Sequence, residues 1–202
     1  MGRDGAIAAA LEASGLPTTI TASQALAGGC IHGAERLTLE DGRTVVAKVA
    51  AASEAAVLEA EAAGLRALGA TDTVLVPEVY ARVDAAGRAV LLMAYLEPGR
   101  AGPEDWVRFG EELAALHASD AGEAYGFEVD TYCGPTRQPN PRERDWATFM
   151  RDHRLGYQLE LARRAGRLGG EEADRLEALL DRLEDVLPRR PRPALLHGDL
   201  WS

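Results

Sequence analysis

Lys48 is the only lysine of the sequence, and arginine fills the other strongly basic positions. An ammonium is a compact point charge and a guanidinium is a planar fork, so a position that keeps lysine can need the point charge. Gly28 and Gly29 precede Lys48, and Glu59 and Glu61 follow it. A glycine pair lets the backbone approach phosphates, an ammonium pairs with phosphate oxygens, and a carboxylate can hold that ammonium in place. This order predicts a site for nucleotide phosphates, with Glu61 preferred over Glu59 as the partner of Lys48.

The end of the sequence carries a second group of residues that could do chemistry. His197, Gly198 and Asp199 follow directly after an apolar run, in the stretch "ALLHGDLWS". In phosphoryl transfer an aspartate of this kind accepts the proton of the substrate hydroxyl, and we expect Asp199 to do so while His197 braces the loop. The alternative, half of a metal or hydrolase site, is disfavoured because the sequence has no G-x-S-x-G elbow and no second cluster at ligand spacing.

The stretch "LLMAYLEPG" is an apolar strand that runs into a Pro/Gly hinge. A hinge of this kind can offer the backbone N–H and C=O groups of Ala94, Tyr95 and Leu96 to the edge of an adenine. We expect Val46 to pack over the base and Met93 to stand at the back of the pocket. These residues complete the predicted nucleotide site.

The elements that must position these residues begin with a hairpin. Asp41 and Gly42 form a strong turn signal between "RLTL" and "TVVAKV", and period two places Val46 and Lys48 on one face of the strand. "ASEAAVLEAEAAGLRALGA" predicts a helix that ends near Gly69. "EVYARVDAAGRAVLLMAYL" predicts two more strands, which gives a sheet of about five strands with one helix inserted after the third.

The pattern changes from strands to helices after the hinge. Apolar spacing predicts helices at about 104–118, 145–165 and 171–187. We therefore predict an α+β protein of two lobes: a small antiparallel sheet lobe, 1–95, that binds the nucleotide, and a helical lobe, 96–202, that is incomplete. We expect part of the apolar helix surface to be exposed and the chain to be poorly soluble or to self-associate.

Composition excludes several classes of protein. The net charge is −10, with acidic residues spread along the chain, which disfavours nucleic acid and anionic membrane surfaces as partners. No apolar run approaches the roughly 20 residues of a membrane span. Cys30 and Cys133 lie far apart without CxxC spacing, which predicts neither a disulfide scaffold nor a zinc site. We expect a cytoplasmic protein.

The motifs "GGCIHGAERLTLEDG", "EAEAAGL", "YGFEVDTYCGPTRQPN" and "HGDLWS" resemble the fructosamine kinase family over essentially the whole chain. The resemblance implies the protein-kinase-like fold of aminoglycoside and choline kinases. It also implies a kinase that uses ATP and Mg²⁺ to phosphorylate the sugar 3-hydroxyl of small-molecule or protein-bound ketosamines, which repairs glycated proteins. By the same resemblance Lys48 is the ATP lysine, Glu61 its partner and Asp199 the general base. Trp201 would offer a flat face to the sugar, and Cys30 a redox-sensitive disulfide between two copies.

The resemblance leaves alternatives open. The family places a Gly-Asn and a later Asp, the Mg²⁺ ligands, after the segment that ends here at Ser202, so we expect no metal ligand in these 202 residues and an inactive part of a longer kinase. An aminoglycoside- or choline-type kinase is the first alternative, against which the motif Gln138-Pro139-Asn140 argues. A pseudokinase, a nucleotide-binding module without catalysis, is the second.

Overall fold

The computed structural model describes residues 2–26, 33–198 and 200. Five of the predicted site residues therefore lie outside the described residues: Gly28, Gly29, Cys30, Asp199 and Trp201. Contacts within the chain divide it into two compact units, 1–119 with 195–202, and 120–194. This division falls later than residue 95, and the predicted nucleotide-binding and helical lobes, 1–95 and 96–202, stay a prediction.

The first unit contains an antiparallel sheet with one helix on each face. In the described residues the sheet has five strands in the order β1-β2-β3-β5-β4. The elements of this unit are α1 (Arg3–Ser14), β1 (Ile20–Leu26), β2 (Ala34–Leu39), β3 (Thr44–Ala51), α2 (Ala55–Gly69), β4 (Val79–Ala85), β5 (Arg88–Ala94) and α3 (Pro103–Ala118). The predicted α+β class and the helix inserted after the third strand are confirmed.

Two tight turns fix the register of the sheet. Between β2 and β3, Gly42 has φ 85° and closes a three-residue loop in which the Leu39 amide donates to the Arg43 carbonyl. Between β4 and β5, Ala86 and Gly87 both have positive φ, as a two-residue turn of the primed type requires. The first turn is the one predicted at Asp41 and Gly42, and the second joins the two strands predicted in "EVYARVDAAGRAVLLMAYL".

The two faces of the sheet bury different apolar clusters. On one face α1 packs Ile7 and Leu11 against Leu37 and Leu92. On the other face α2 packs Leu58 and Ala62 against the other face of β3 and β5, which carries Val46, Lys48, Leu91 and Met93. Burial of α2 on this face brings the carboxylate of Glu61 to Lys48.

The second unit is a small helical module with a hairpin. Its elements are β6 (Thr131–Cys133), β7 (Thr136–Gln138), α4 (Trp146–Met150), a π-helical turn (Arg151–Leu155), α5 (Gly156–Arg164), α6 (Gly170–Leu180) and α7 (Leu183–Val186). The predicted helix at 145–165 is therefore interrupted by a π turn, and the predicted helix at 171–187 is two helices. The π turn needs Gly156, because a Cβ there would collide with the carbonyl oxygen of Arg151.

Among the helices of the described ranges, none is long and apolar enough to cross a membrane.

Candidate functional site

The site is built around an ion pair between the sheet and α2. The Nζ of Lys48 donates to Oε1 of Glu61 at 2.5 Å, and the two side chains are 25% and 30% exposed. Leu58 and Ala62 of α2 face the sheet, and at about 100° per residue Glu61 lies on the flank toward β3. The pairing with Glu61 is thus confirmed, while the role of the pair in nucleotide binding stays a prediction.

Glu59 lies on the other flank of α2, because two residues of helix correspond to a rotation of about 200°. Its Oε2 is 3.5 Å from Nε of Arg82 on β4. The choice between the two glutamates, which the sequence leaves open, is therefore decided by helix geometry.

The strand residues predicted to line a base lie together on the lysine face. Val46 and Met93 are cross-strand partners, and both are buried. Arg36 of β2 is the partner of Val46 on its other side, and its guanidinium lies 4.5 Å from the ring centroid of Tyr95. Arg36 was not predicted from the sequence, although period two in "AERLTL" together with the hairpin register could have placed it on this face.

The hinge has one backbone amide donor fewer for a ligand than predicted. The backbone N–H of Ala94 donates to the Glu78 carbonyl at 2.8 Å, so this amide is already used. Of the three predicted hinge residues, this leaves Tyr95 and Leu96 as predicted amide donors for a base edge, and that role stays a prediction. Tyr95 is half-buried and Leu96 is exposed.

His197 is the one described residue of the predicted catalytic loop that carries an ionisable side chain, and it is exposed. Its role as the brace of Asp199 stays a prediction.

The motif Gln138-Pro139-Asn140 belongs to the second unit and is held by a polar network around the buried Asn140. The Asn140 side chain donates to the Val129 carbonyl and to Oγ1 of Thr131, both at 3.0 Å. Arg154 of the π turn donates to Oδ1 of Asn140 and, at 2.7 Å, to the Pro139 carbonyl. Arg154 was not predicted from the sequence, because only the π turn directs its side chain back to this loop.

The same network lowers the pKa of Asp130. The backbone N–H of Asn140 donates to Oδ1 of Asp130 at 2.8 Å, and this hydrogen bond, with the Arg137 guanidinium, lowers the pKa of Asp130. An ionised Asp130 therefore stabilises the loop that carries the motif.

The described residues fit a nucleotide better than a metal ion. A held ammonium suits phosphate oxygens, and the buried Val46 and Met93 suit an apolar base. For Mg²⁺, residues 2–26, 33–198 and 200 contain no group of three or more His, Cys, Asp or Glu side chains that could hold an ion. No metal site can be assigned to these residues.

Comparison with known proteins decides the family. A model of the fructosamine kinase family matches residues 5–202. The chain belongs to the fructosamine kinase family. The "probable ketoamine kinase" of Synechocystis is 38% identical over 192 residues, which cover 95% of this chain and 63% of that protein. That of Pasteurella multocida is 36% identical over 166 residues, 81% of this chain and 56% of that protein.

Solved structures confirm the fold of this fructosamine kinase family member. A structure described as a putative fructosamine-3-kinase, from Haemophilus somnus, is 28% identical with a TM-score of 0.83, covering 98% of this chain and 65% of that one. A second, from Thermobifida fusca, has the same identity and TM-score and covers 100% and 68%. The protein-kinase-like fold expected from the sequence is confirmed. The chain spans about 60% of the length of the two curated relatives named here.

Proposed function

We propose that this chain is the nucleotide-binding part of an ATP-dependent kinase that phosphorylates the sugar 3-hydroxyl of fructosamines and other ketosamines. Family membership supports a kinase of this type. The observation that carries the proposal is the ion pair of Lys48 and Glu61 beside the apolar surface of Val46 and Met93. In this proposal the physiological role is the repair of glycated proteins in the cytoplasm.

Each site residue within the described ranges has a physical task in this proposal. Lys48 neutralises phosphate charge, and its ammonium is positioned in advance because Glu61 holds it before the ligand arrives. Val46 and Met93 exclude water from one face of the base, and the amides of Tyr95 and Leu96 set its orientation. Mg²⁺, when bound, would neutralise charge between the β- and γ-phosphates.

The remaining roles belong to residues outside the described ranges. Gly28 and Gly29 would approach the phosphates, Asp199 would accept the hydroxyl proton, and Trp201 would stack on the sugar. Cys30 would form the redox-sensitive disulfide. The roles of Asp199 and Cys30 rest on the family resemblance, those of Gly28 and Gly29 on the close approach that a glycine backbone allows, and that of Trp201 on the flat face that an indole offers to a sugar.

A substrate panel tests the proposal. The protein expressed from its own gene is incubated with ATP, Mg²⁺ and either a fructose adduct of lysine, an aminoglycoside or choline. Phosphorylated product is measured by mass spectrometry. We expect transfer to the fructose adduct, at the 3-hydroxyl by ³¹P and ¹³C NMR, and at least about a hundredfold loss in Lys48→Met. Arg88→Met, an exposed arginine of β5, is the matched control and should keep full activity.

The panel also separates the alternatives. Transfer to an aminoglycoside or to choline in place of the fructose adduct would contradict the ketosamine assignment. Nucleotide binding that is indifferent to Mg²⁺, with no transfer to any acceptor, would favour the pseudokinase. The mass of the protein expressed from its own gene tests the expectation that these 202 residues are an inactive part of a longer kinase.

A further inference from the structure

Arg82 of β4 is a buried cation that the nucleotide site does not use. Its side chain is 6% exposed, and its guanidinium reaches two places on α2. Nη2 donates to the Ala55 carbonyl at 2.9 Å, and Nε lies 3.5 Å from Oε2 of Glu59, too long for a hydrogen bond. Nη1 donates to Oδ1 of Asp84 at 2.8 Å. A buried guanidinium is costly unless it is paired, so these contacts hold it firmly in place.

The register of the sheet relates Arg82 to Lys48. Arg82 is the cross-strand partner of Leu91, and Leu91 is the partner of Lys48. Directly paired residues share a face, so the two cations stand at the two ends of one row, about 10 Å apart at two strand spacings. Both reach the same helix.

The helix lies between these two contacts. Leu58 and Ala62 pack on the buried Leu91 in the middle of the row. Relative to Leu58, Glu59 lies about 100° to one side of the helix axis and Glu61 about 60° to the other. Arg82 therefore contacts the flank of α2 that lies opposite Glu61. A rotation of α2 that separates Glu59 and the Ala55 carbonyl from Arg82 also moves Glu61 relative to Lys48.

We propose that Arg82 is a positioning residue that fixes the rotation of α2, through the Ala55 carbonyl and Glu59, so that Glu61 meets Lys48. Its relevance to catalysis rests on the proposed function, because only in a nucleotide site does the position of the Lys48 ammonium matter. The contact itself does not depend on that function.

The single lysine provides a direct readout of this position. Lys48 is the one side-chain amine of the sequence, so acylation by an N-hydroxysuccinimide ester can be followed by peptide mass, with the N-terminal amine as internal reference. In Arg82→Met we expect acylation of Lys48 to rise about fivefold, the factor that corresponds to the net worth of one hydrogen bond. Glu61→Gln should give a rise of at least the same size.

The double variant Arg82→Met with Glu61→Gln distinguishes positioning from general destabilisation. If Arg82 acts through Glu61, the double variant is acylated no faster than Glu61→Gln alone. A purely structural role would lower the unfolding midpoint but leave folded Lys48 unchanged. Arg88→Met, an exposed arginine of the same sheet, should leave the rate of acylation at the wild-type value.

A second variant keeps the test decisive if Arg82→Met does not fold. Glu59 is 49% exposed, so Glu59→Gln should fold, and we expect it to raise acylation of Lys48 about twofold because the bond to Ala55 remains. Glu12→Gln on the exposed side of α1 is its control. Unchanged acylation in Glu59→Gln, or additive effects of Arg82→Met and Glu61→Gln, would overturn the proposal. Since no nucleotide or acceptor is present, either outcome is independent of the kinase assay.

Discussion

Helices α2 and α3 are of nearly equal length, 15 and 16 residues, but they differ in what covers their apolar faces. Helix α2 buries five residues, and two of them, Leu58 and Ala62, pack against the sheet. Helix α3 buries Leu116 alone among its described residues, and Trp106 is 61% exposed. Its rings of Trp106 and Phe109 pack edge to face, with centroids 6.5 Å apart, on an exposed surface.

The difference shows that an amphipathic sequence pattern does not by itself mean that the apolar face of the helix is packed against another element. Both sequences carry an apolar stripe at helical spacing, but the stripe predicts only which side would be buried. In α2 the covered stripe fixes the helix, and that in turn gives Glu61 and Glu59 defined partners on β3 and β4. In α3 the stripe positions no ion pair with the sheet among the described residues.

The largest contrast should be in stability. Leu58→Ala removes a fully buried side chain, and we expect a loss of about 2–5 kcal/mol in the free energy of unfolding. Trp106→Ala removes a larger but exposed side chain, and we expect a change within about 0.5 kcal/mol. Urea unfolding followed by circular dichroism measures both. Equal losses would show that the face of α3 is covered in solution.

The exposed face of α3 should also drive self-association. We expect the double substitution Trp106→Gln and Phe109→Gln to lower the association constant at least about tenfold, because exposed aromatic rings contribute strongly to contacts between proteins. Sedimentation velocity over a concentration series measures this. Arg66→Gln on the exposed side of α2 should have no effect, and an equal effect there would indicate association through another surface.

The smallest expected difference between the two helices is in the pH dependence of their first turns. Asp105, in the first turn of α3, accepts the backbone N–H of Gly102 at 2.8 Å, and this bond, with the Arg108 guanidinium, lowers the pKa of Asp105. A lowered pKa gives stability that is present above the ordinary aspartate value of about 4 and is lost as the pH falls through the lower folded value.

The start of α3 should therefore open in this pH range, measured as faster exchange of the Gly102 amide. Asp105→Asn should remove most of this pH dependence. The first turn of α2 has no acidic residue, so its amides are the internal control. A pH dependence that survives in Asp105→Asn would assign it to another group.

The sequence could predict much of the sheet, because turn signals and period two act locally. The Asp41-Gly42 turn, the face shared by Val46 and Lys48, and the helix ending at Gly69 all follow from near neighbours in the chain. The preference for Glu61 could also be reached from the family resemblance.

What the sequence could not predict depends on distant partners. Arg82 lies in "VYARVDA", where a charged residue suggests a solvent-facing position, and only the register reveals that α2 covers it. The hairpin of β6 and β7 could not be predicted, because strands of three residues are too short to show a period. The exposure of Trp106 depends on what packs against α3, which no local pattern encodes.

Nucleotide binding is the most direct test of the phosphate site proposed at Lys48 and Glu61. Calorimetric titration with ATP would compare the wild-type chain, Lys48→Met and the control Arg88→Met at one salt concentration. We expect Lys48→Met to weaken ATP binding at least about tenfold, the loss expected for a charge-assisted hydrogen bond, and Arg88→Met to bind ATP like the wild type. Binding by the wild type that Lys48→Met leaves unchanged would contradict the assignment of the Lys48 and Glu61 pair to the phosphate site.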